Sequence, residues 1–208
     1  MDHRRSWNEN YSRPDPMWKG PPGPASSEVS GTVLELGCGN GKTARALVRS
    51  AERVVGLDFS RPGLDRCRAD VRSGKLDLVE GDVRHLPFSD HRFDHVFAVH
   101  VLGHLVAEDM GKAVGEIERV TVPGGKVVVR TFSCRDMRAG KGEEVEPGSY
   151  IRGNGILTHY FERSELSQLM GSFLEVSLEE IVQKKRYRGS EHVRAEWVGV
   201  YQTVLPMC

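Results

Sequence analysis

Apolar and polar residues alternate with two different periods from residue 31 onward. Five short runs rich in Val, Leu and Phe are bounded by Gly, Asp or Ser, and they predict β-strands. These runs cover residues 32–36, 53–58, 76–82, 93–101 and 125–132. Between them, apolar residues recur every three or four positions, which is the spacing of one face of a helix. Strands that alternate with helices predict βαβ crossovers and a parallel sheet covered on both faces.

The pattern changes in the last third of the chain. A helical stripe over residues 166–173 is followed by β-like runs at 174–182 and 195–205. The segment between these runs contains a Gly-Ser pair, which is typical of turns. Two strands joined by a turn predict an antiparallel hairpin at the end of the parallel sheet. Residues 31–208 are therefore predicted to form a single domain.

Residues 1–30 differ from this domain in composition. Five of the ten prolines lie between residues 11 and 24. Proline fixes φ and removes a backbone donor, so this stretch predicts neither a regular helix nor a central strand. Aromatic residues such as Tyr11 and Trp18 are costly to leave in water, which favours an extended arm packed across the domain. A disordered tail with incidental aromatic residues is the alternative.

The first predicted strand runs directly into a glycine-rich turn with the sequence VLELGCGNGKT. Its glycines, Gly37, Gly39 and Gly41, provide positive φ and let a ligand approach the backbone. Their G-x-G-x-G spacing is one residue tighter than the dinucleotide motif, and the P-loop spacing is absent. Glu35 precedes the turn and would repel a pyrophosphate. The motif therefore predicts a ligand with a cationic or zwitterionic group beside Glu35.

Two further acids follow the next predicted strands. Asp58 ends the second strand, where a carboxylate accepts hydrogen bonds from a ribose diol. Asp82 follows the third strand and suits an adenine amino group, while the N–H of Val83 suits a ring nitrogen. The carboxyl ends of parallel strands meet at the edge of the sheet where ligands bind. The acids therefore predict a nucleoside-containing ligand.

Several motifs together resemble those of one family. In chain order, ELGCGNG, GLDFS, EGDVRHLPFSDHRFDHV, VHVLGHL and VPGGKVVV are similar to the motifs of class I S-adenosylmethionine-dependent methyltransferases with a methyltransferase type 11-like domain. The resemblance covers about residues 31–132, half of the chain. It implies a three-layered, doubly wound, Rossmann-like α/β fold with seven mostly parallel strands. The implied strand order is 3-2-1-4-5-7-6, with strand seven antiparallel.

The resemblance also implies the cofactor, S-adenosyl-L-methionine with S-adenosyl-L-homocysteine as its product, and the residues that hold it. Gly37 and Gly39 would border the methionine moiety near Glu35, and the arm at 1–30 would cover the site. Which cation of the arm pairs with the cofactor carboxylate stays open. The predicted cofactor-binding residues are Glu35, Gly37, Gly39, Gly41, Asp58, Phe59, Asp82, Val83, Ala98, Val99, Tyr11, Arg13 and Trp18.

The acceptor site is predicted from three chemically active residues and one long connection. His100, which follows the fourth strand, and His159 and Tyr160 are the candidate catalytic residues. The alternative for His100 is that it only lines the cofactor, and the alternative for the other two is that they staple the next helix. Residues 133–160 are too long for a simple loop and predict a partly ordered lid or substrate loop.

Charge and cysteine content narrow the functional class. The 29 basic and 29 acidic residues balance, so no global field recruits nucleic acid or an anionic membrane. The four cysteines are scattered without metal-ligand spacing, which predicts reduced thiols and no metal site. No run of 18 apolar residues and no apolar signal segment is present, so we expect a cytoplasmic protein with no membrane association.

These features predict an enzyme that methylates a small-molecule acceptor, because balanced charge and an aromatic arm favour an enclosed pocket. The first alternative is RNA methylation, for example of a tRNA base, since Lys184, Lys185, Arg186 and Arg188 form a basic cluster. A non-catalytic cofactor-binding module is the second alternative. The oxidoreductase reading fails on the glycine spacing and on Glu35. The acceptor atom and the oligomeric state stay open.

Overall fold

A computed structural model describes residues 3–14, 29–187 and 189–205. The strands are β1 (Thr32–Leu36), β2 (Arg53–Asp58), β3 (Leu76–Glu80), β4 (Phe93–Val99), β5 (Thr121–Phe132), β6 (Glu143–Glu146), β7 (Ser149–Ile151), β8 (Leu157–His159), β9 (Leu174–Tyr187) and β10 (Ser190–Gln202). The helices are α1 (His3–Ser12), α2 (Ala44–Leu47), α3 (Arg61–Asp70), α4 (Ala107–Val120) and α5 (Arg163–Leu169), with a short 3₁₀ helix at Leu102–His104.

Seven strands form one sheet in the order β3-β2-β1-β4-β5-β10-β9. The first five of these are parallel, whereas β10 runs antiparallel to both β5 and β9. This topology confirms the predicted order, because β10 takes the place of the seventh strand and β9 that of the sixth. Consequently, the carboxyl ends of β1, β2 and β4 lie at one edge together with the start of β10.

The sheet separates two apolar clusters because neighbouring residues of a strand point to opposite faces. On β1, Leu34 and Leu36 join the larger cluster, which includes Met110 and Ile117 of α4. Val33 points the other way and joins Leu47 of α2 in the second cluster. Burial on both faces explains why the central strands are nearly continuous apolar runs.

The N-terminal segment is helical where an extended arm was predicted. Residues 3–12 form α1, because the prolines begin only at Pro14 and nothing before them interrupts the helical hydrogen bonds. Trp7 and Tyr11 lie one turn apart on the same face, and their rings stack with centroids 5.7 Å apart. Most of the proline-rich stretch, including Trp18, lies outside the described residues.

The long connection after β5 is ordered. Its strands β6, β7 and β8 pair antiparallel into a second, three-stranded sheet, here called the small sheet. The segment returns to the main domain where Ser133 pairs with Phe161 in an isolated bridge. The predicted lid at 133–160 is therefore a folded unit, and its role as a lid stays a prediction.

The described residues include free cysteines but neither a metal-binding cluster nor a membrane-spanning helix. Cys38 and Cys67 are buried free thiols, and Cys134 is an exposed one. Across residues 3–14, 29–187 and 189–205, no cluster of three or more His, Cys, Asp or Glu side chains is arranged to hold a metal ion. None of the helices in these ranges has the length and apolar character needed to cross a membrane.

Candidate cofactor and acceptor site

A cavity of about 1070 Å³ opens at the carboxyl ends of the parallel strands. Ligand pockets are commonly about 300–1,000 Å³, so this cavity has room for a cofactor and an acceptor together. The Glu35, Asp58 and Asp82 side chains line one end. The other end lies between β5, β10, β9 and the small sheet. The cavity thus occupies the crevice that α/β folds use for ligands.

The glycine-rich turn passes beneath the acidic end. Gly37, Gly39 and Gly41 all have φ between +50° and +78°, a region that favours glycine. Space is also limited, since a Cβ at Gly39 would overlap the Tyr11 hydroxyl. The turn therefore needs glycine at this position both for its backbone conformation and for the close packing of α1.

Glu35 presents a buried carboxylate to the cavity. Its side chain is 3% exposed, and its Oε2 atom has no hydrogen-bond partner among the described residues. Burial raises the pKa of Glu35 well above its usual value, and the nearby Cys67 and Asp58 raise it further. An unsatisfied buried acceptor is costly unless a ligand supplies a donor. This position therefore fits a cationic amino group, such as that of the methionyl part of S-adenosylmethionine.

Asp58 links the glycine-rich turn to the end of β2. Its Oδ2 atom accepts the backbone N–H of Gly39 and its Oδ1 atom accepts that of Ser60, both at 2.8 Å. Burial raises the pKa of Asp58 to about 6, although these backbone hydrogen bonds act in the opposite direction. The carboxylate thus fixes the turn while it lines the cavity.

Asp82 is held by its neighbour Arg84. The guanidinium donates to both carboxylate oxygens, with Nη2 at 2.6 Å from Oδ2 and Nε at 3.0 Å from Oδ1. These hydrogen bonds from Arg84 lower the pKa of Asp82. Arg84 also donates to Asp109 at the start of α4, at 2.6 Å. The adenine-side acid is therefore ionised and fixed in place, with Val83 beside it in the cavity lining.

Helix α1 and the small sheet meet over the cavity. Trp7 and Tyr11 pack with Ile156, which precedes β8, in one apolar cluster. The ring of Trp7 also contacts His104 edge-on, with centroids 4.9 Å apart. The Nδ1 atom of His104 lies 2.6 Å from the carbonyl oxygen of Leu157 in β8. These contacts close the cavity between α1, the 3₁₀ helix and the small sheet, and Tyr11 connects them to the glycine-rich turn.

His100 marks the second end of the cavity. It has φ +59°, a left-handed conformation that is uncommon for a non-glycine residue and that is concentrated at functional sites. Its ring stacks on Phe132 with centroids 4.3 Å apart, and its backbone N–H donates to the carbonyl oxygen of Arg130. Burial lowers the pKa of His100 well below its usual value, and Arg130 adds to the effect. The imidazole is therefore neutral at pH 7.

This second end, here called the acceptor end, is strongly cationic. Tyr160 lines it beside Phe132, and its pKa is raised by burial. Glu196 is the acid in this part of the lining, where it accepts from Arg130 at 2.7 Å. The basic lining residues of this end are Lys42, Arg130, Arg138, Arg152, Lys185 and Arg194. At the cofactor end the lining acids are accompanied, among the described residues, by only two arginines, Arg4 and Arg84, so the excess of positive charge lies at the acceptor end.

Most of the residues predicted from sequence come together here. Those that line the cavity are Glu35, Gly37, Asp58, Phe59, Asp82, Val83, Val99, Tyr11, His100 and Tyr160. Gly39 lies under the Tyr11 side chain, and Gly41 packs against Cys67 and Val71. Both glycines belong to the turn, but neither lines the cavity itself.

Three predicted residues are not brought to the cavity. Ala98 is fully buried in the core, on the face of β4 that points away from the site. Arg13 is exposed beyond the end of α1, where its carbonyl accepts from the Arg66 guanidinium. His159 points away because Thr158 and Tyr160 face the cavity and β-residues alternate. Its Nδ1 atom lies 2.8 Å from Ser149 Oγ, and its Nε2 atom lies 2.8 Å from Glu165.

Sequence reasoning missed most of the acceptor end. Phe132, Arg138 and Arg194 converge there although 56 to 62 residues separate Arg194 from the other two (194 − 138 = 56; 194 − 132 = 62). Only the antiparallel register of β10 against β5, which pairs Glu196 with Phe132, brings them together. An available signal was the alternation of charged and apolar residues in HVRAEWV, which places Arg194 and Glu196 on one face of the strand.

Comparison with known proteins agrees with this site. A family model described as a methyltransferase domain matches residues 34–129. The chain is 28% identical over 177 residues to a tRNA N(3)-cytidine methyltransferase, METTL2, of Danio rerio, covering 76% of this chain and 49% of that protein. It is 37% identical over 105 residues to a demethylmenaquinone methyltransferase of Thermobifida fusca, covering 49% and 43%. The chain thus spans about half the length of the curated relatives it matches, or less.

A solved structure shares the whole fold. The N-methyltransferase NodS of Bradyrhizobium japonicum, in complex with S-adenosyl-L-homocysteine, superposes with a TM-score of 0.71 at 18% identity, covering 100% of both chains. The strand order, the glycine-rich turn, the unsatisfied Glu35 carboxylate and the matched domain agree with one another. Residues 34–129 therefore form a methyltransferase domain, and the fold that contains it is that of the class I S-adenosylmethionine-dependent methyltransferases, whose cofactor is S-adenosylmethionine.

Proposed function

We propose that this protein methylates a nucleobase of an RNA, with tRNA as the substrate class. One observation carries the proposal: six basic side chains and one acid line the acceptor end of the cavity. An acceptor bound there meets a positive field, and the substrate class with the highest density of negative charge is nucleic acid. The balanced charge of the whole chain does not oppose this, because the basic residues are concentrated locally.

The cofactor end provides binding and orientation. Glu35 would accept from the cofactor amino group, and Asp58 and Asp82 would face its ribose and adenine. When bound, S-adenosylmethionine supplies an electrophilic methyl group on a sulfonium. Tyr11 and Trp7 of α1 exclude water from this end because both side chains are buried. In methyl transfer, alignment of the acceptor with the methyl group is the main task of the protein.

At the acceptor end, the side chains of His100 and Tyr160 provide one hydrogen-bond acceptor and one hydrogen-bond donor. The neutral imidazole of His100 accepts a hydrogen bond or a proton, since its lowered pKa keeps it uncharged. Tyr160 keeps its proton because burial raises its pKa, so it acts as a donor. If the acceptor is a nucleobase ring nitrogen with a free lone pair, no proton has to be removed before methyl transfer. His100 and Tyr160 would then act by positioning the nucleobase.

Further basic residues lie near the exposed end of the edge strand β9. Lys185 lines the cavity, and its neighbours Lys184 and Arg186 are exposed on the other face of the strand, because β-residues alternate. Lys184 forms an ion pair with Glu191 of β10 at 2.8 Å, which leaves Lys185 and Arg186 as the stronger candidates for phosphate contacts. The match to tRNA methyltransferases supports the same acceptor, since it covers more of the chain than residues 34–129.

A small anionic molecule is the second candidate acceptor. Enclosure of the cavity by α1 and the small sheet favours it, because a closed site suits a ligand that can be surrounded. NodS, which is described as an N-methyltransferase, matches this chain over its full length. In this case the cationic end would bind a phosphate or carboxylate of the small molecule.

Transfer of tritium from methyl-labelled S-adenosylmethionine separates these candidates. Unmodified tRNA transcripts and a small-metabolite extract would be tested in parallel at low and moderate salt. We expect label in tRNA, with a rate that falls steeply as salt rises. Label in the metabolite fraction alone would favour the second candidate. Binding of S-adenosylhomocysteine without any transfer would support a non-catalytic module.

A pair of double variants tests the route taken by the RNA. Lys185→Gln with Arg186→Gln should weaken tRNA binding and reduce the salt slope by about 1 for each phosphate that the variant no longer neutralises. The control, Arg72→Gln with Lys126→Gln, removes the same charge from exposed positions outside the cavity lining. Equal salt slopes for the two proteins would contradict an RNA path along β9.

A further inference from the structure

We propose that Arg138 and Arg194 form an anion-binding subsite that receives the phosphate group of the acceptor nucleotide. The inference rests on the proposed function, because it names the group of that acceptor which the cavity holds. The phosphate belongs either to a free nucleotide or to the backbone of an RNA, and both present the same chemistry to a guanidinium pair.

One buried carboxylate organises the subsite. Asp136 has a fully buried side chain and accepts from Arg138 Nε at 2.7 Å and from Arg194 Nε at 2.8 Å. It also accepts the backbone N–H of Arg138 at 3.0 Å. The hydrogen bonds from the two arginines lower the pKa of Asp136, although its burial acts in the opposite direction. Two guanidiniums therefore share one negative charge, and the trio keeps a net charge of +1.

The aromatic ring of Phe132 lies close to both guanidiniums. The Cζ atom of Arg138 lies 4.0 Å from the centroid of Phe132, and that of Arg194 lies 5.8 Å from it. Cation–π contact of this kind orders long side chains that would otherwise lose conformational entropy on binding. The side chains keep 17% and 28% exposure, and both line the cavity. Arg138 Nη2 also donates to Asp136 Oδ2 at 3.3 Å, so Arg138 offers its Nη1 to a ligand and Arg194 offers its terminal nitrogens.

The surrounding charges leave the subsite unbalanced. Glu196 neutralises Arg130 at 2.7 Å and lies 3.9 Å from Arg194 Nη2. Lys42 adds a further positive charge, and its pKa is lowered first by burial and then by Arg130. Together, Arg130, Arg138, Arg194 and Lys42 carry four positive charges against two negative charges, those of Asp136 and Glu196. A phosphate monoester, with up to two negative charges, matches this excess better than a neutral ligand.

The position of the subsite suits a nucleotide. Phe132 lies under the arginines, contacts His100 on one side and lies 6.1 Å from the ring of Tyr160. An anion on the guanidiniums would thus sit next to the aromatic and histidine groups that would face a base. The arginine pair would bind the phosphate of a nucleotide, and the adjacent His100 and Tyr160 side chains would contact its base.

The first test compares cytidine 5′-monophosphate with cytidine, both titrated into protein saturated with S-adenosylhomocysteine. We expect the monophosphate to bind at least tenfold more tightly. Arg138→Gln and Arg194→Gln should each reduce this preference at least fivefold, while the affinity for S-adenosylhomocysteine changes less than twofold. Arg135→Gln is the matched control, because Arg135 is 63% exposed and pairs with Glu180 outside the cavity. Its preference should equal that of the unaltered protein.

Equal binding of nucleotide and nucleoside, or a preference retained by both variants, would overturn the subsite. If Arg138→Gln fails to fold, Arg138→Lys serves instead, since lysine keeps the positive charge beside Asp136 but lacks the planar guanidinium, whose fixed N–H donors can bind Asp136 and a phosphate at the same time. It should still lower the preference.

The second test uses tRNA transcripts with the same variants and identifies the source of the phosphate. Loss of tRNA methylation with a raised KM assigns the subsite to the RNA backbone, whereas loss of monophosphate binding alone assigns it to a free nucleotide. Phosphate preference without any tRNA methylation would retain the subsite and refute the proposed function. Methylation of tRNA that both variants leave unchanged, with no phosphate preference, would refute the subsite alone.

Discussion

Replacement of Glu35 by glutamine separates ligand binding from stability, because the structure predicts opposite effects on the two. In the free protein, the Oε2 atom of Glu35 is buried without a hydrogen-bond partner among the described residues. A cofactor amino group beside it would form a charge-assisted hydrogen bond, which contributes about 1.5–3 kcal/mol. Since 1.4 kcal/mol is tenfold, Glu35→Gln should weaken S-adenosylhomocysteine binding by about ten- to 150-fold.

The stability of the free variant should change in the other direction. Burial raises the pKa of Glu35 above its unfolded value, so ionisation of this group destabilises the folded state. The penalty is absent below the unfolded pKa of about 4.3 and grows as pH rises toward the folded pKa. Glutamine does not ionise. The variant should therefore match the unaltered protein near pH 4 and exceed its unfolding free energy above neutral pH.

Calorimetry measures the affinity and the proton balance in one experiment. A cation beside Glu35 lowers the pKa of this group, so at pH values between the pKa of the bound form and that of the free form binding should release protons, seen as a binding enthalpy that depends on the buffer. Glu35→Gln should reduce this release, and Glu118→Gln, on the exposed face of α4, should leave it unchanged. Equal affinity and equal proton release in Glu35→Gln and the unaltered protein would refute the assignment of this carboxylate.

Three further substitutions test the supports of the site. Asp58→Asn deprives one of two backbone N–H groups of its acceptor, which costs about 1–3 kcal/mol, but it also removes the ionisation penalty of a group whose pKa is raised to about 6. In urea titrations the variant should therefore be less stable than the unaltered protein near pH 4 and recover toward it near pH 8, whereas exposed Asp77→Asn should show no such trend, and equal pH dependence of the two variants would contradict this. Gly39→Ala places a Cβ at φ +50° against Tyr11 and should lower S-adenosylhomocysteine affinity at least tenfold in calorimetry, a result that unchanged affinity would rule out. Asp136→Asn weakens the hold on two partly buried arginines and should cost about 1.5–3 kcal/mol of unfolding free energy in guanidinium, and a loss below about 1 kcal/mol would show that the pairing is unimportant.

The fold was predictable where buried elements leave a regular run of apolar residues in the sequence. Strands β1 and β2 match their predicted bounds, 32–36 and 53–58, because apolar runs between turn residues are specific to buried strands. The β9–β10 hairpin extends further than predicted, over 174–187 and 190–202. Its middle is rich in Lys and Arg, which do not mark strands in sequence, and pairing between the two strands maintains the ladder there.

The two ends of the cavity differ in how far the sequence determines them. The cofactor end is built from residues at the ends of consecutive strands, so the order of Glu35, Asp58 and Asp82 in the chain already places them together. The acceptor end depends on interactions such as that of Arg194 with Asp136, 58 residues away. Such interactions follow from strand register, which a single sequence does not specify. The orientation of His159 depends in the same way on the alternation within β8.

The most direct test of the account is a calorimetric titration of S-adenosylhomocysteine, with NAD titrated in parallel. The polarised cavity, the tight glycine spacing and the Glu35 carboxylate predict binding at one site for S-adenosylhomocysteine and none for NAD. Binding of NAD, or of neither ligand, would contradict the assignment of the acidic end to the cofactor and, with it, the assignment of the cationic end to the acceptor.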